Sequence, residues 1–177
     1  MNAPTLCIRK ALPEEAPELR RVAIRAYRHH YSGMWRDAGR TYLLRTYSEQ
    51  QLAKELHDPA LGYWLAVADG QALGFLCIRF DSALPRHVGA AEGLEIVRIY
   101  LVKEATGQGL GRSLMGKALD VARLRGKRRV WLKMMDFKPG VRRFYEALGF
   151  RVCGKTSLTE PGLREGYDGM LIMQKGL

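Results

Sequence analysis

Residues 94–126 read LEIVRIYLVKEATGQGLGRSLMGKALDVARLRG. The stretch changes character twice. It opens on a mostly apolar run rich in β-branched side chains, the composition of a buried strand. From Leu110 onward, Leu114, Met115, Ala118, Leu119 and Ala122 recur at the spacing of one helix face. Between strand and helix stand Gly107, Gly109 and Gly111, closed by Arg112. Glycine at a helix start costs backbone entropy, so something there needs bare main chain. The first amides of a helix have no intrahelical partner and lie at the positive end of its dipole. Strand, glycine turn and helix in succession therefore form an anion site, with Arg112 adding a cation. Two common phosphate motifs are absent: Gly111-Arg112-Ser113 lacks the Walker lysine, and the glycines run GxGxG rather than GxGxxG. Taken alone, the same glycines equally describe a flexible surface loop.

Working outward, RRVWLKMM (128–135) reads as a strand and GVRRFYEALGF (140–150) as a short helix stopped by Gly149. FRVCGKTSL (150–158) and YDGMLIMQK (167–175) close the chain as two antiparallel strands. Upstream, YWLAVADGQALGFLCIRF (63–80) is two apolar runs joined at Asp69-Gly70, a hairpin signal, and DSALPRHVGAA (81–91) reads as a loop. TLCIRKA (5–11) is a first strand. PEEAPELRRVAIRAYRHHY (13–31) is an amphipathic helix with acids in its first turn. SGMW interrupts it, a helix follows through AGRTYLLRTY (38–47), and another starts at Ser48, where SEQQ suits a capping box. That helix runs out ahead of Pro59. With no repeat or linker, the reading is one α+β domain over 1–177, its two strand–helix–strand units paired in parallel.

The 177 residues suit one domain with a sizeable core. A balance of 29 Lys and Arg against 18 Asp and Glu, net +11, favours an anionic partner such as a polyphosphate, a nucleic acid or an acidic protein. Nucleic acid is disfavoured, because no RNP-like aromatics, zinc pattern or helix-turn-helix signature accompanies the charge. The denser run at Arg123, Arg125, Lys127, Arg128 and Arg129 reads as a solvated helix end. Cys7, Cys77 and Cys153 are too few and too far apart for a disulfide framework, and they read as small core residues in a reducing compartment. His29 and His30 form no ligand pattern with His57 or His87, so no metal is expected. No stretch approaches the roughly 18 apolar residues of a membrane span, and the N-terminus lacks a signal-peptide core. Those two readings place the protein in the cytoplasm, with a homodimer left open.

Residues 94–126, followed downstream by FYEALGF, resemble the acetyl-coenzyme A signature and second motif of the GNAT superfamily of N-acetyltransferases. The resemblance covers residues 60–175. GLEIVRIYL and RVWLKMMDFKPGVRRFYEALGF look most like bacterial polyamine acetyltransferases of the spermidine/spermine type. The resemblance implies a single GNAT-like domain with a mixed sheet of about six or seven strands, splayed in the middle and flanked by helices. It implies that acetyl-CoA lies in the gap between EIVRIYLV and RVWLKMM. The backbone at Ile99, Tyr100 and Leu101 would bond the pantetheine arm, and the amides of Thr106, Gly107, Gln108, Gly109, Leu110, Gly111 and Arg112 would take the pyrophosphate. Tyr145 matches the general acid, and Lys138 stands where relatives commonly carry Asn. Relatives also carry Arg or Gln at the position of Thr106 and a second acid at Val97. The reading from the residues alone is a half-buried core tyrosine at 145.

For the base, strand alternation puts Glu95 on one face with Val97, Ile99 and Leu101. An apolar setting would raise its pKa and let it accept the amine's proton. Glu92 is the reserve, and a surface carboxylate paired with Arg98 is the competing reading. The implied reaction moves an acetyl group to a primary amine of a small, polyamine-like molecule by direct attack in a ternary complex. Glu92, Glu95, Asp136, Glu55 and Asp58 are the acids available at the cleft mouth, and Tyr27, Tyr31 and Trp35 form either an aromatic wall or core. Two alternatives stay open: a protein N-terminus or lysine as acceptor, and a coenzyme A-binding or basic binding protein without turnover.

Overall fold

Strand β4 (Glu92–Leu101) is the spine of the sheet. The computed structural model describes residues 6–88 and 92–177. In it β4 is joined by β1 (Leu6–Lys10), β2 (Leu61–Ala68), β3 (Gln71–Ala83), β5 (Arg129–Met135), β6 (Arg151–Ser157) and β7 (Gly169–Gly176). The order across the sheet is β1-β2-β3-β4-β5-β7-β6. The helices are α1 (Ala16–Tyr31), α2 (Arg40–Thr46), α3 (Glu49–His57), α4 (Leu110–Leu124) and α5 (Pro139–Ala147). The β2–β3 hairpin turns at Asp69 (φ 47°) and Gly70 (φ 76°), two left-handed residues in a row, as a two-residue turn of this twist requires.

Three details depart from the sequence reading. Residues 81–83 are strand, because β3 bulges after Arg79 and pairs again at Ser82 with Gly93 and at Ala83 with Glu92. The bulge lets the ladder continue past a charged residue that looks like a loop in one dimension. The remainder holds a short 3-10 turn at Arg86–Val88, while Gly89–Ala91, like Thr5 of the first strand, lie outside the described residues. Only one strand–helix–strand unit makes a parallel pair, β4 with β5. In the second unit β7 inserts between β5 and β6, antiparallel to both. β7 buries Leu171, Ile172 and Met173, whereas β6 is half-exposed and carries Arg151 and Lys155, which suits an edge.

The third departure lies in β4 itself. Its register with β3 steps from Cys77↔Arg98 to Ile78↔Ile96, so Val97 is an extra residue on β4. One inserted residue inverts the alternation. Glu95 lies opposite Arg79 and Arg98 opposite Cys77, positions two apart on β3. Glu95 therefore shares its face with Arg98 and Tyr100, not with Val97, Ile99 and Leu101. The two faces receive different helices. Tyr100 meets Tyr27 of α1 edge-on at 5.8 Å between centroids. Leu101, its neighbour, points to α4, where a Cβ at Gly111 would lie 3.7 Å from Leu101 Cδ1.

Tyr27 and Trp35 are core, 4% and 1% exposed, with Trp35 Nε1 donating to the Tyr27 hydroxyl at 3.1 Å. They anchor an aromatic cluster with Tyr42, Tyr47, Phe75 and Tyr100 under α1–α3. On the opposite face α4 buries Leu110, Leu114, Met115, Ala118, Leu119 and Ala122, the residues its periodicity selects.

Candidate active site

β4 and β5 pair only at Leu94↔Val130, Glu95↔Trp131 and Ile96↔Leu132. Beyond that the two strands part, leaving one edge of Val97–Leu101 without a strand partner. The gap is a cleft of about 500 Å³ lined by Ile99, Tyr100 and Leu101 of β4, the turn Thr106, Gly107, Gly109, Gly111 and Arg112, and Gly140, Val141, Phe144 and Tyr145 of α5, with His30 and Tyr31 of α1. A narrow extension of about 40 Å³ shares Tyr31, Ile99, Tyr100 and Tyr145 and adds Val97, Arg98, Leu132 and Lys133.

At the wide end the chain presents amides. Thr106 N–H bonds Lys103 O at 3.1 Å, and Ser113 N–H bonds Gly109 O at 3.1 Å, the first rung of α4. Among the described residues, no backbone acceptor serves the amides from Gly107 to Arg112. Gly107 (φ 78°) and Gly109 (φ 82°) hold left-handed backbone, and no atom lies within 4 Å of a Cβ built on either. Their glycines are required by conformation, which turns the amides outward, rather than by crowding. Gly111 has a different reason: its Cβ would stand 3.3 Å from Phe144 Cζ, so its absence admits the ring to the cleft floor. An anion of several oxygens fits this row of donors beside the exposed Arg112, whereas the Thr106 hydroxyl is already given to Lys103 O at 2.7 Å.

At the other end stands Tyr145, 6% exposed, with no hydrogen bond to its hydroxyl among the described residues. Burial, with a smaller push from Tyr31, holds its hydroxyl well above the ordinary tyrosine value. His30 Nε2 donates to Leu101 O at 2.9 Å, which leaves Nδ1 as the acceptor of the ring. Burial lowers its pKa most; the Leu101 bond works against this, and the smaller effects of the His29 and Lys138 charges lower it further, so the ring is neutral.

Several residues named from the sequence lie outside the cleft wall. Lys138 Nζ donates to His30 O at 2.8 Å and sits 5.2 Å over the Tyr31 ring, tying the start of α5 to the end of α1. Gln108 Nε2 donates to Glu104 O at 2.6 Å, and Leu110 is core. Glu95 is in a polar cage rather than an apolar one: it accepts from Ser82 Oγ at 2.9 Å and lies 3.7 Å from Arg79 and 3.9 Å from Lys133. The competing reading, a pair with Arg98, also misses. Arg98 pairs instead with Glu55 at 2.5 Å, both side chains nearly buried, with Tyr63 bonded to both and Gln51 to Glu55. Burial pushes the Glu55 carboxyl up, but the hydrogen bonds and charge of Arg98 outweigh it and hold it below the usual range. Asp58 caps its own turn through Ala60 N–H at 2.8 Å, and Asp136 packs against Gly169 of β7. Among the described residues, no carboxylate lines the cleft or its extension.

Sequence reasoning missed His30, Gly140, Val141 and Phe144. His30 falls three residues after the core residue Tyr27, on the inward helix face, a signal that was available. Among the described residues, no group of three or more His, Cys, Asp or Glu is placed to hold a metal ion, and no helix is long and apolar enough to cross a membrane. The side chain of His87 lies outside the described set.

The sheet that opens at its one parallel pair, with bare helix amides at the mouth of the opening, defines a class of fold with known members. The PaiA N-acetyltransferase of Thermoplasma acidophilum, crystallised in complex with coenzyme A, superposes with a TM-score of 0.77 at 22% identity, covering 98% of this chain and 99% of its own. An uncharacterized N-acetyltransferase from the pepI 3′ region of Lactobacillus delbrueckii subsp. lactis is 32% identical over 108 residues, 61% of this chain and 62% of its own. Streptothricin acetyltransferase of Streptomyces lavendulae is 32% identical over 106 residues, 60% of this chain and 52% of its own. The match thus spans less than two thirds of the length of these two relatives. The 5-NmdU N-acetyltransferase of Pseudomonas phage PaMx11 is 30% identical over 153 residues, 85% of this chain and 91% of its own. The family model described as Acetyltransferase (GNAT) family matches residues 20–150. The chain belongs to that family.

Proposed function

We propose that the protein is an acetyl-CoA-dependent N-acetyltransferase that moves an acetyl group onto a primary amine of a small molecule by direct attack in a ternary complex. One observation carries the reading: the amides of Gly107–Arg112 without backbone acceptors open on the same cleft that holds Tyr145 at its other end. The amide row and Arg112 take the pyrophosphate of the coenzyme, since helix N-termini and left-handed glycine turns concentrate donors on anions. The freed edge of β4 at Ile99–Leu101 then guides the pantetheine arm inward, as an added strand would. That path delivers the thioester to the junction of cleft and extension, where Tyr145 stands.

The amine must attack in its neutral form. Its nitrogen bonds to the thioester carbonyl carbon, the carbonyl oxygen takes the charge, and collapse breaks the carbon–sulfur bond. Backbone amides of the parted β4 edge are fixed donors for that oxygen. Tyr145 is kept protonated by burial and donates to the departing sulfur. An ordinary thiol ionises near pH 8.5, below Tyr145, so the tyrosine keeps its proton and stabilises the departing thiolate through a hydrogen bond, and the proton that completes the thiol comes from the newly bonded ammonium nitrogen. The net result is one amide and one thiol. With no carboxylate among the described residues lining the cleft, the amine enters already neutral or loses its proton to water, and Glu95 acts from outside as part of the charge cage. Of the acids that would suit a polyamine, Glu55, Glu95 and Asp58 are otherwise engaged and none lines the described cleft, so the proposal extends to small primary amines in general. A thiol-release assay over amines of every charge tests it. Release above background that disappears in Tyr145→Phe supports the reading, and silence across the whole set refutes it.

A further inference from the structure

We infer that the acceptor carries its own anionic group, a carboxylate or a phosphate within a few bonds of the amine, and that Lys133 holds it; this rests on the acetyl-transfer reading above. The charge balance where β4 and β5 part carries the inference. Arg79, Arg98 and Lys133 face Glu55 and Glu95, three cations against two carboxylates. Arg98 and Glu55 satisfy each other, with side chains 16% and 13% exposed. Glu95 serves the other two cations at 3.7 and 3.9 Å while also accepting from Ser82. Among the described residues, this cluster therefore carries one positive charge in excess.

Of the two cations that share Glu95, only Lys133 reaches the cleft. It lines the narrow extension beside Arg98, Tyr31 and Tyr145, and Arg79 does not. Its side chain is 40% exposed, and its Nζ makes no hydrogen bond among the described residues. An ammonium has three donors and no acceptor, so it calls for an oxyanion. A diamine or polyamine brings a second cation to the same place and finds no carboxylate on the wall among the described residues to receive it. The extension holds about 40 Å³ against about 500 Å³ for the cleft it joins, so it takes the amine and its near neighbours, which places the anion close to the nitrogen. The acceptor class is therefore a short amino acid or aminoalkyl phosphate.

The test uses the purified protein with acetyl-CoA and follows thiol release. β-Alanine and 2-aminoethyl phosphate form the two anionic arms, β-alaninamide and ethanolamine their neutral counterparts, and 1,3-diaminopropane and spermidine the cationic set. The expected kcat/KM for an anionic amine exceeds that of its neutral counterpart by about 10- to 100-fold, the worth of one charge-assisted hydrogen bond. Release with β-alanine assigns a carboxylate, and release with 2-aminoethyl phosphate a phosphate. Lys133→Gln should collapse that ratio toward one through KM, and Lys133→Glu should turn the preference toward the diamines. A wild-type preference for neutral or cationic amines overturns the inference and leaves acetyl transfer intact. So does an unchanged ratio in a Lys133→Gln protein that still binds acetyl-CoA. If Lys133→Gln does not fold, the wild-type ratio and its retention in Lys133→Arg decide the matter, and a wild-type ratio at or below one overturns it. No release from any amine refutes the acetyl-transfer reading and the inference with it.

Discussion

Gly109 and Gly116 lie seven residues apart, at the start and in the interior of α4, and the same substitution should act on them with opposite signs. Gly109 is left-handed (φ 82°), and nothing lies within 4 Å of a Cβ built there. Alanine at 109 therefore meets no clash and pays only the conformational penalty of an L-residue in that region, about 1–2 kcal/mol. Gly116 also has open space around its Cβ but sits in regular helix. Alanine there removes the entropy penalty of helical glycine and stabilises by about 0.5–1 kcal/mol. The two variants should differ by about 2 kcal/mol. At about 2–4 °C per kcal/mol for a chain of this size, that is a gap of about 4–8 °C between their thermal midpoints. Calorimetric titration supplies the second readout. Gly109→Ala disturbs the turn that aims the amides outward and should weaken acetyl-CoA binding by about tenfold or more, a loss of about 1.4 kcal/mol. Gly116→Ala should bind as the wild type does. Midpoints that move the same way would refute the backbone argument. Wild-type affinity in Gly109→Ala would remove the amide row as the coenzyme site.

Tyr145→Phe should lower kcat by about a hundredfold, and because burial raises the hydroxyl's pKa, wild-type kcat should hold through pH 10; equal kcat in the two proteins would end the hydrogen-bond-donor role. Glu55→Ala strands a nearly buried Arg98 and should cost about 3 kcal/mol of stability in chemical denaturation, most of it recovered in Glu55→Leu/Arg98→Met. Because the folded state lowers the Glu55 pKa, its contribution is complete above its unfolded value and is lost as pH falls through the folded one. The stability gap between wild type and Glu55→Gln should accordingly be full at neutral pH and narrow below about pH 4; a gap that widens in acid contradicts the pairing. Ser48 Oγ accepts from Gln51 N–H at 3.1 Å at the start of α3, so Ser48→Ala should lower stability by about 1 kcal/mol in the same assay.

Much of the framework was legible because its signals are local. The core face of α4 follows from spacing alone, and the β2–β3 hairpin from Asp69-Gly70. The turn at Gly107–Gly111 announces itself because only glycine is at ease where φ is positive. The strand order is different in kind. That β7 inserts between β5 and β6 depends on which strand buries more apolar surface when both compete for one edge, and no window of sequence contains that comparison.

The acceptor end shows the same division more sharply. Sequence by itself determined the glycine turn, the tyrosine helix and the α+β class, each written within one element or one connection. Tertiary structure alone decided which charges face the cleft. A single extra residue, Val97, inverts the faces of β4 and turns Glu95 away from Ile99 and Leu101, and Glu55 reaches Arg98 from a helix 43 residues away. Alternation counts residues along one strand, whereas a bulge is defined by the partner strand, and a counter-ion by whatever helix happens to cover it.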